Sequence, residues 1–258
     1  MTKEFSTRPA SALASALVIT ALSLALPARM HAQFGPPPPV PPSTRANAPF
    51  DMTGYWVSIV TEDWRFRMVT PGKGDFPGLP LTDAAKKIAD SWDPAKDEAA
   101  GEQCKYYGAA SLMRVPGRLH ITWDNDTTLK IEADAGTQTR VLHFDGTPTG
   151  APSWQGWSSA AWEPLQAGFG PPKFGSLKVT TNRLRPGYLR RNGVPYSANA
   201  TVTEYYDVLN DPNINETWLM VKTIVTDPAY LLEPFITSTH FKKQADGTGF
   251  SPSVCSAR

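Results

Sequence analysis

The residues best suited to chemistry lie in the segment RPGYLRRNGVPYS at positions 185–197, between two predicted strands. Arg190 and Arg191 are adjacent, so on an extended backbone their side chains point to opposite sides. Tyr188 and Tyr196 flank them with rings that carry polar tips. An inward-facing arginine on such a loop would suit a carboxylate or an enolate, because a guanidinium group binds oxyanions with two parallel hydrogen bonds. The alternative is a structural lid whose arginines bind backbone carbonyls or surface acids.

Tryptophan and tyrosine side chains suggest an aromatic cavity. Trp154, Trp157 and Trp162 lie close together in SWQGWSSAAWE, whereas Trp123 and Tyr205 lie on other predicted strands. Rings that line a barrel form a site for an apolar or planar ligand, although the same rings also suit ordinary core packing. The predicted ligand-binding residues are Arg190, Arg191, Tyr188, Tyr196, Trp123, Trp154, Trp157 and Tyr205.

Three residues are candidates for acid–base catalysis: His120, His143 and Glu204. A lyase, isomerase or hydratase without a cofactor needs one such group and an oxyanion stabiliser in a dry pocket. Glu204 could instead pair with an arginine of the 185–197 segment. The histidines lack the spacing of a metal site, and the chain has no G-x-S-x-G elbow and no glycine-rich phosphate loop, so we predict neither metal nor cofactor.

Period-two alternation from Gly54 onward predicts the elements that must position these residues. About ten short strands, separated by turn residues, favour an antiparallel meander, which hides its edges by closing into a β-barrel. The segments EDWRFRMV and SLMRV are included among these strands. LTDAAKKIADSW is the one predicted helix, a short one before residue 95 that Pro94 ends. The fold class is therefore all-β, and a barrel of this width need not be filled by side chains.

Register follows from the apolar pattern of two hairpins. If residues 124–126 form a three-residue loop, one face of the first hairpin is apolar. That face holds Leu119, Ile121, Trp123, Leu129 and Ile131. The next hairpin leaves two arrangements, in which either Leu142 and Phe144 or Val141 and His143 point inward.

The start of the 258-residue chain predicts export. Residues 1–32 have the basic and apolar layout of a signal peptide cleaved near Ala32, with a retained anchor as the alternative. Residues 33–49 are rich in proline and predict a linker, or alternatively a recognition motif. Residues 50–258 then form a single barrel domain, in the periplasm or secreted.

The two cysteines and the net charge give further information about the compartment and the binding partners. Cys104 and Cys255 are an even pair in a predicted oxidising compartment, which favours one disulfide over two free thiols. The formal net charge is +1, so nothing favours binding to nucleic acid or to an anionic membrane. No segment after the leader is apolar enough to span a bilayer.

Two resemblances support the barrel. Gly54 and Trp56 in GYW resemble the Gly-x-Trp motif of lipocalins. The motifs GDFPGLPL, ADSWD, EQCK, RRNGVPYS, TVTE and TIVTDPAYLLEPF together resemble a family of exported bacterial proteins without an assigned reaction. This resemblance implies export and a shared, lipocalin-like fold, and it leaves the function open.

Three functions fit these observations. The first is an exported carrier that binds a small hydrophobic or aromatic molecule in its cavity. The second is the cofactor-independent lyase, isomerase or hydratase, acting on a small hydrophobic substrate in the same cavity. The third is an envelope module that binds other proteins through its loops and proline-rich arm.

Overall fold

The computed structural model describes residues 45–165 and 174–258. The predicted signal peptide and most of the linker lie outside these residues, so the predicted domain boundaries remain predictions. The strands are β1 (Gly54–Ser58), β2 (Arg118–Asn125), β3 (Thr128–Ala133), β4 (Gln138–His143), β5 (Trp157–Leu165), β6 (Phe174–Asn182), β7 (Gly187–Arg190), β8 (Val194–Tyr196), β9 (Thr201–Asp211), β10 (Glu216–Thr226) and β11 (Phe235–Gln244).

Nine of these strands close into a barrel in the order β1-β11-β10-β9-β6-β5-β4-β3-β2. The all-β barrel is confirmed, with nine strands where the sequence predicts about ten. Neighbouring strands are antiparallel except β4 and β5, which pair in parallel at two positions. β7 and β8 form a separate two-stranded hairpin, and this hairpin contains most of the 185–197 segment.

The prediction of a single short helix is wrong, because three short α-helices lie between residues 45 and 100. They are Trp64–Arg67, Asp83–Asp90 and Pro94–Ala99. The second is the predicted helix, and the Thr82 hydroxyl caps it by accepting a hydrogen bond from the Ala85 amide at 3.3 Å. Pro94 begins the third helix, since proline has the backbone angle of a first helical residue.

Two predicted strands are also wrong. EDWRFRMV contains the helix Trp64–Arg67, which follows Asp63 in the left-handed region at φ 52°. SLMRV contains the 3₁₀ helix Leu112–Arg114. The buried Arg67 side chain joins the two segments by donating to the carbonyls of Arg114 and Ile59. These tertiary contacts override the period-two alternation, which in EDWRFRMV covers only residues 64–68.

The predicted register of the β2–β3 hairpin is confirmed. Ile121 pairs with Ile131 and Trp123 pairs with Leu129, so the apolar face is continuous. The turn is shorter than predicted because an irregularity between Trp123 and Asn125 takes up one residue. In the next hairpin Leu142 is fully buried, which selects the first of the two arrangements.

The two ends of the barrel differ. At the end that we call the hairpin end, β2 turns into β3 and β9 turns into β10. At the other end, the capped end, a second apolar core lies between the barrel and the segments 59–117, 183–200 and 227–234. Its members include Leu81, Ala85, Leu189, Val194, Tyr196 and Phe235.

Cys104 and Cys255 form the predicted disulfide, with their Cα atoms 5.2 Å apart. It joins the chain's C-terminal tail to the segment that leads into the buried residues Tyr106 and Tyr107. No helix within residues 45–165 and 174–258 has the length and apolar character needed to cross a membrane.

Candidate functional site

The barrel interior is filled by side chains. Every second residue of the strands points inward, and these residues form one continuous core. Its fully buried members include Trp56, Ile121, Leu129, Ile131, Leu142, Leu177, Val179, Leu219 and Val221. Of the two alternatives that the sequence leaves open, the interior rings and strands follow ordinary core packing, and the space for a ligand has to be sought at the two ends.

One part of the interior is polar and makes most of its hydrogen bonds within the chain, although Arg140 Nε has no partner among the described residues. Arg140 on β4 donates to both carboxylate oxygens of Glu204 on β9, at 3.0 and 2.7 Å. It also donates to the hydroxyls of Tyr206, Ser158 and Thr181. Burial opposes the charge of Arg140, but the charge of Glu204 outweighs it and raises the pKa of Arg140. This network holds the wall of the barrel together.

A cavity of about 360 Å³ lies at the hairpin end. It is lined by Arg45, Ala48, Phe50, Asp51, Thr53 and Trp123. Five of these residues belong to the segment that leads into β1, and Trp123 lies near the end of β2. Ala48, Phe50 and Trp123 pack against the barrel core, so the floor of the cavity is the end of that core.

Four aromatic rings beside the cavity are in contact in a chain. Trp123 lies 5.3 Å from Phe144, measured between ring centroids, and Phe144 lies 5.4 Å from Trp162. Phe50 meets Trp162 edge to face at 5.2 Å. The first two pairs are tilted by 31° and 33°, and the edge-to-face contact is a favourable arrangement for aromatic rings. We call Phe50, Trp123, Phe144 and Trp162 the aromatic cluster.

The rim of the cavity is polar. Arg45 is exposed, and its backbone amide donates to the carbonyl of Asp126 at 2.8 Å, which ties this segment to the β2–β3 turn. The Asp51 carboxylate accepts a hydrogen bond from the Thr53 amide at 2.8 Å. The cavity therefore combines an aromatic floor with one cationic and one anionic side chain, as small-molecule sites commonly do.

Of the predicted ligand residues, Trp123 alone lines this cavity. Arg190, Arg191, Tyr188 and Tyr196 lie together at the capped end. There Tyr188 donates to Asp97 at 2.7 Å, and Arg190 donates to the carbonyl of Pro77 at 2.9 Å. Trp154 is also at this end and donates to the carbonyl of Pro186.

Tyr196 is a packing residue. It is fully buried, and burial raises the pKa of its hydroxyl. Two glycines, Gly108 and Gly187, make room for this hydroxyl, because a Cβ at either position would lie within about 2.5 Å of it.

Trp157 and Tyr205 lie on the outer face of the barrel. Trp157 stacks on His143, with ring centroids 3.9 Å apart. Tyr205 lies below the ammonium groups of Lys178 and Lys222. The structure therefore does not bring the eight predicted ligand residues to one cavity.

The predicted acid–base residues are equally dispersed. His120 stacks on Tyr55 at 4.1 Å and contacts Glu132 on the barrel exterior. His143 is also outside, and burial lowers the pKa of its imidazole. Glu204 is inside the barrel, where its partner is Arg140 and not an arginine of the 185–197 segment.

Sequence reasoning missed two members of the aromatic cluster and the interior arginine. Phe50 stands at the border of the proline-rich segment, where no strand pattern marks it. Phe144 points inward in only one of the two arrangements that the sequence leaves open for the β3–β4 hairpin, the one in which Leu142 is also buried. The same arrangement would have placed Arg140 inside, because residues 140, 142 and 144 share a face.

No family model, no curated protein and no solved structure matches the chain. The resemblance to exported bacterial proteins thus remains a prediction. Within the described ranges, no three His, Cys, Asp or Glu side chains are grouped in a way that could hold a metal ion.

Proposed function

We propose that this protein is an exported β-barrel that binds a small hydrophobic or aromatic molecule at the hairpin end of the barrel. The observation that carries this proposal is the cavity of about 360 Å³ over the aromatic cluster. Its volume is at the lower end of the range of small-molecule sites, about 300–1,000 Å³. The proposed ligand is therefore compact, with one or two rings.

The lining suggests how such a ligand would be oriented. Its apolar part would lie on Trp123 and Phe50, whose rings already pack against the core. Its polar edge would face Arg45 or Asp51 at the rim. Because the floor is part of the barrel core, this half of the site would need little reorganisation on binding.

One observation favours binding over catalysis. None of the predicted acid–base residues, His120, His143 and Glu204, lines the cavity. The Cys104–Cys255 disulfide supports the exported location, since disulfides persist in oxidising compartments.

Native mass spectrometry of the protein, purified from its exported fraction without detergent, tests this function. We expect a small molecule to accompany the wild-type protein and to be absent from Ala48→Phe, in which a new ring would fill the cavity. Trp64→Ala is the control, because Trp64 is 58% exposed and lies on a helix outside the barrel. Equal amounts of bound molecule in Ala48→Phe and in wild type would contradict the proposed location.

A further inference from the structure

Four arginines surround one tyrosine at the capped end. Arg67, Arg114 and Arg190 are only 2%, 3% and 4% exposed, and Tyr106 is 3% exposed. Arg191 is half-buried. Burying this many guanidinium groups in one place is costly unless each is paired, because charged groups lose their hydration.

Contacts and charge effects show that these side chains converge. Arg67 donates from Nε to the carbonyl of Arg114 at 3.0 Å, and the Arg191 guanidinium carbon lies 5.5 Å from the centroid of the Tyr106 ring. Burial raises the pKa of Tyr106, while the charges of Arg114, Arg191 and Arg67 all act to lower it. The Tyr106 hydroxyl is thus a shared neighbour of three cations.

Two of the four arginines have a carboxylate partner. Asp63 Oδ2 lies 2.5 Å from Arg114 Nη2, and Glu62 Oε2 lies 4.0 Å from Arg67 Nη1. Glu62 also contacts His240, so it is shared between two partners. These carboxylates offset two of the four positive charges.

Arg190 and Arg191 have no carboxylate within 4.0 Å among the residues that the structure describes. Arg190 donates to the Pro77 carbonyl and lies over the ring of Phe66 at 3.9 Å. Asp75 is near enough to act on Arg190, but it is paired with Arg65 at 2.9 Å. Burial and the charge of Arg114 lower the pKa of Arg190 to about 10.

Five buried donors around this centre have no hydrogen-bond partner within residues 45–165 and 174–258. They are Arg67 Nη2, Arg114 Nε, Arg190 Nε, Arg191 Nε and Tyr106 Oη. A buried donor without a partner costs about 1–3 kcal/mol, and more when it is charged. A fold that keeps five of them together is one that an acceptor would stabilise.

We propose that these five side chains form a binding site for a small tetrahedral oxyanion of the phosphate or sulfate class. The five donors lie on four separate segments, and a tetrahedral oxyanion has up to four oxygens to accept from them, whereas a carboxylate has two. The two arginines without carboxylate partners match the charge of a dianion. Guanidinium groups are the side chains best suited to such oxyanions.

The site has a route to solvent through its outer members. Arg191 is half-buried, and the Asp63 side chain is 40% exposed. The site is separate from the cavity of the proposed function, because it lies at the opposite end of the barrel.

Isothermal titration calorimetry of the full exported chain tests the proposal. Sulfate and inorganic phosphate are titrated separately, each at constant ionic strength in chloride. Acetate is titrated in the same way as a planar carboxylate, to compare its affinity with those of the two tetrahedral anions. We expect saturable one-to-one binding of sulfate, phosphate or both, with acetate at least about tenfold weaker because it has fewer acceptor directions. Whichever of the two binds more tightly identifies the anion.

A matched pair of arginine variants locates the site. Arg191→Gln removes one unpaired charge. Of the four arginines Arg191 is the least buried, so the fold should tolerate its replacement best. Arg185→Gln is the control on the same hairpin segment, where Arg185 is paired with Glu102 at 3.2 Å and its side chain is 46% exposed. We expect Arg191→Gln to weaken anion binding by about tenfold or more, and Arg185→Gln to change it by less than about twofold.

Three outcomes would overturn the proposal: no saturable heat with either anion, acetate binding as tightly as sulfate and phosphate, or equal losses in both variants. Nitrogen-15 NMR of the arginine Nε–H groups gives a second readout that does not depend on a substitution. The resonances of Arg190 and Arg191 should shift on saturation with the anion, whereas that of Arg183 should stay in place. Uniform shifts of all three would indicate ionic screening and contradict a site.

Discussion

Arg140 and Glu204 form a fully buried ion pair of 2.7 Å across two intervening strands, β5 and β6. The pair spans the place where β4 and β5 share only two paired positions. Since the strand ladder is weakest there, a side-chain bridge from β4 to β9 reinforces the closure of the barrel. Ser158 and Thr181, on the two strands in between, also bind the Arg140 guanidinium.

Replacing Glu204 tests this bridge. Glu204→Gln leaves the Arg140 charge buried without its counter-charge, so we expect a loss of about 3–5 kcal/mol in the free energy of unfolding. Glu132→Gln is the control, because Glu132 contacts His120 and forms an ion pair with Lys130 on the barrel exterior, and we expect it to cost about 1 kcal/mol or less. Urea denaturation followed by tryptophan fluorescence measures both.

The double variant Arg140→Met/Glu204→Leu separates charge burial from packing. Without either charge, most of the lost stability should return, because the desolvation cost disappears with the pair. If Glu204→Gln is no more destabilising than Glu132→Gln, the ion pair does not hold the barrel wall.

Reducing the disulfide should lower stability strongly. Cys104 and Cys255 are 151 positions apart, and closing so long a loop contributes about 5 kcal/mol at most in the chain-entropy model. We expect the variant with both cysteines replaced by serine to lose about 2–5 kcal/mol in urea unfolding. Reductant should have the same effect on the wild-type protein and none on this variant. Identical unfolding midpoints for the two proteins would contradict a stabilising bond.

His143 should titrate below the ordinary range for histidine. Its ring stacks on Trp157, and burial lowers its pKa from the usual value of 6.5. The unfolded chain therefore binds the proton more tightly than the folded chain. The contribution of His143 to stability is present above pH 6.5 and is lost as the pH falls through the folded pKa.

Proton NMR of the imidazole measures this pKa directly. In Trp157→Ala the ring is more exposed, so the pKa of His143 should move up toward 6.5. A wild-type pKa at or above 6.5 would contradict the effect of burial.

Gly193 is required by the close approach of the β7–β8 hairpin to Trp92. Its φ is +82°, and an added Cβ would lie 2.3 Å from the side chain of Trp92. Gly78 has a similar φ of +73° but no atom within 4 Å of such a Cβ. Gly78→Ala should therefore cost only the backbone strain of about 1–2 kcal/mol, and Gly193→Ala about 1–3 kcal/mol more. Equal thermal shifts for the two variants would show that the hairpin does not pack as described.

The sequence predicted the barrel, the helix Asp83–Asp90 and the disulfide, because each rests on a regular local pattern or on a unique pair. It misassigned Trp64–Arg67, since an alternation over five residues does not separate a strand from a helical turn. That segment is helical because Arg67 binds carbonyls of other segments, and no local pattern reveals such partners.

The candidate sites were predicted only in part, for a related reason. On β9 the charged Glu204 points inward and the aromatic Tyr205 points outward, the reverse of the usual preference. Arg140 makes this arrangement stable, and its pairing with Glu204 joins residues 64 positions apart. The arginine cluster likewise combines Arg67 and Arg114 with the predicted Arg190 and Arg191, and only the folded chain brings them together.

Binding at the hairpin end is tested most directly by NMR of nitrogen-15-labelled tryptophan indoles. The protein is titrated with a set of small one- and two-ring compounds, and the indole signal of Trp123 is compared with that of the exposed Trp64. We predict that compounds which bind shift Trp123 and leave Trp64 unchanged, and that Ala48→Phe abolishes the shift. Compounds that bind without moving the Trp123 signal, or that bind Ala48→Phe equally well, would contradict a ligand site over the aromatic cluster.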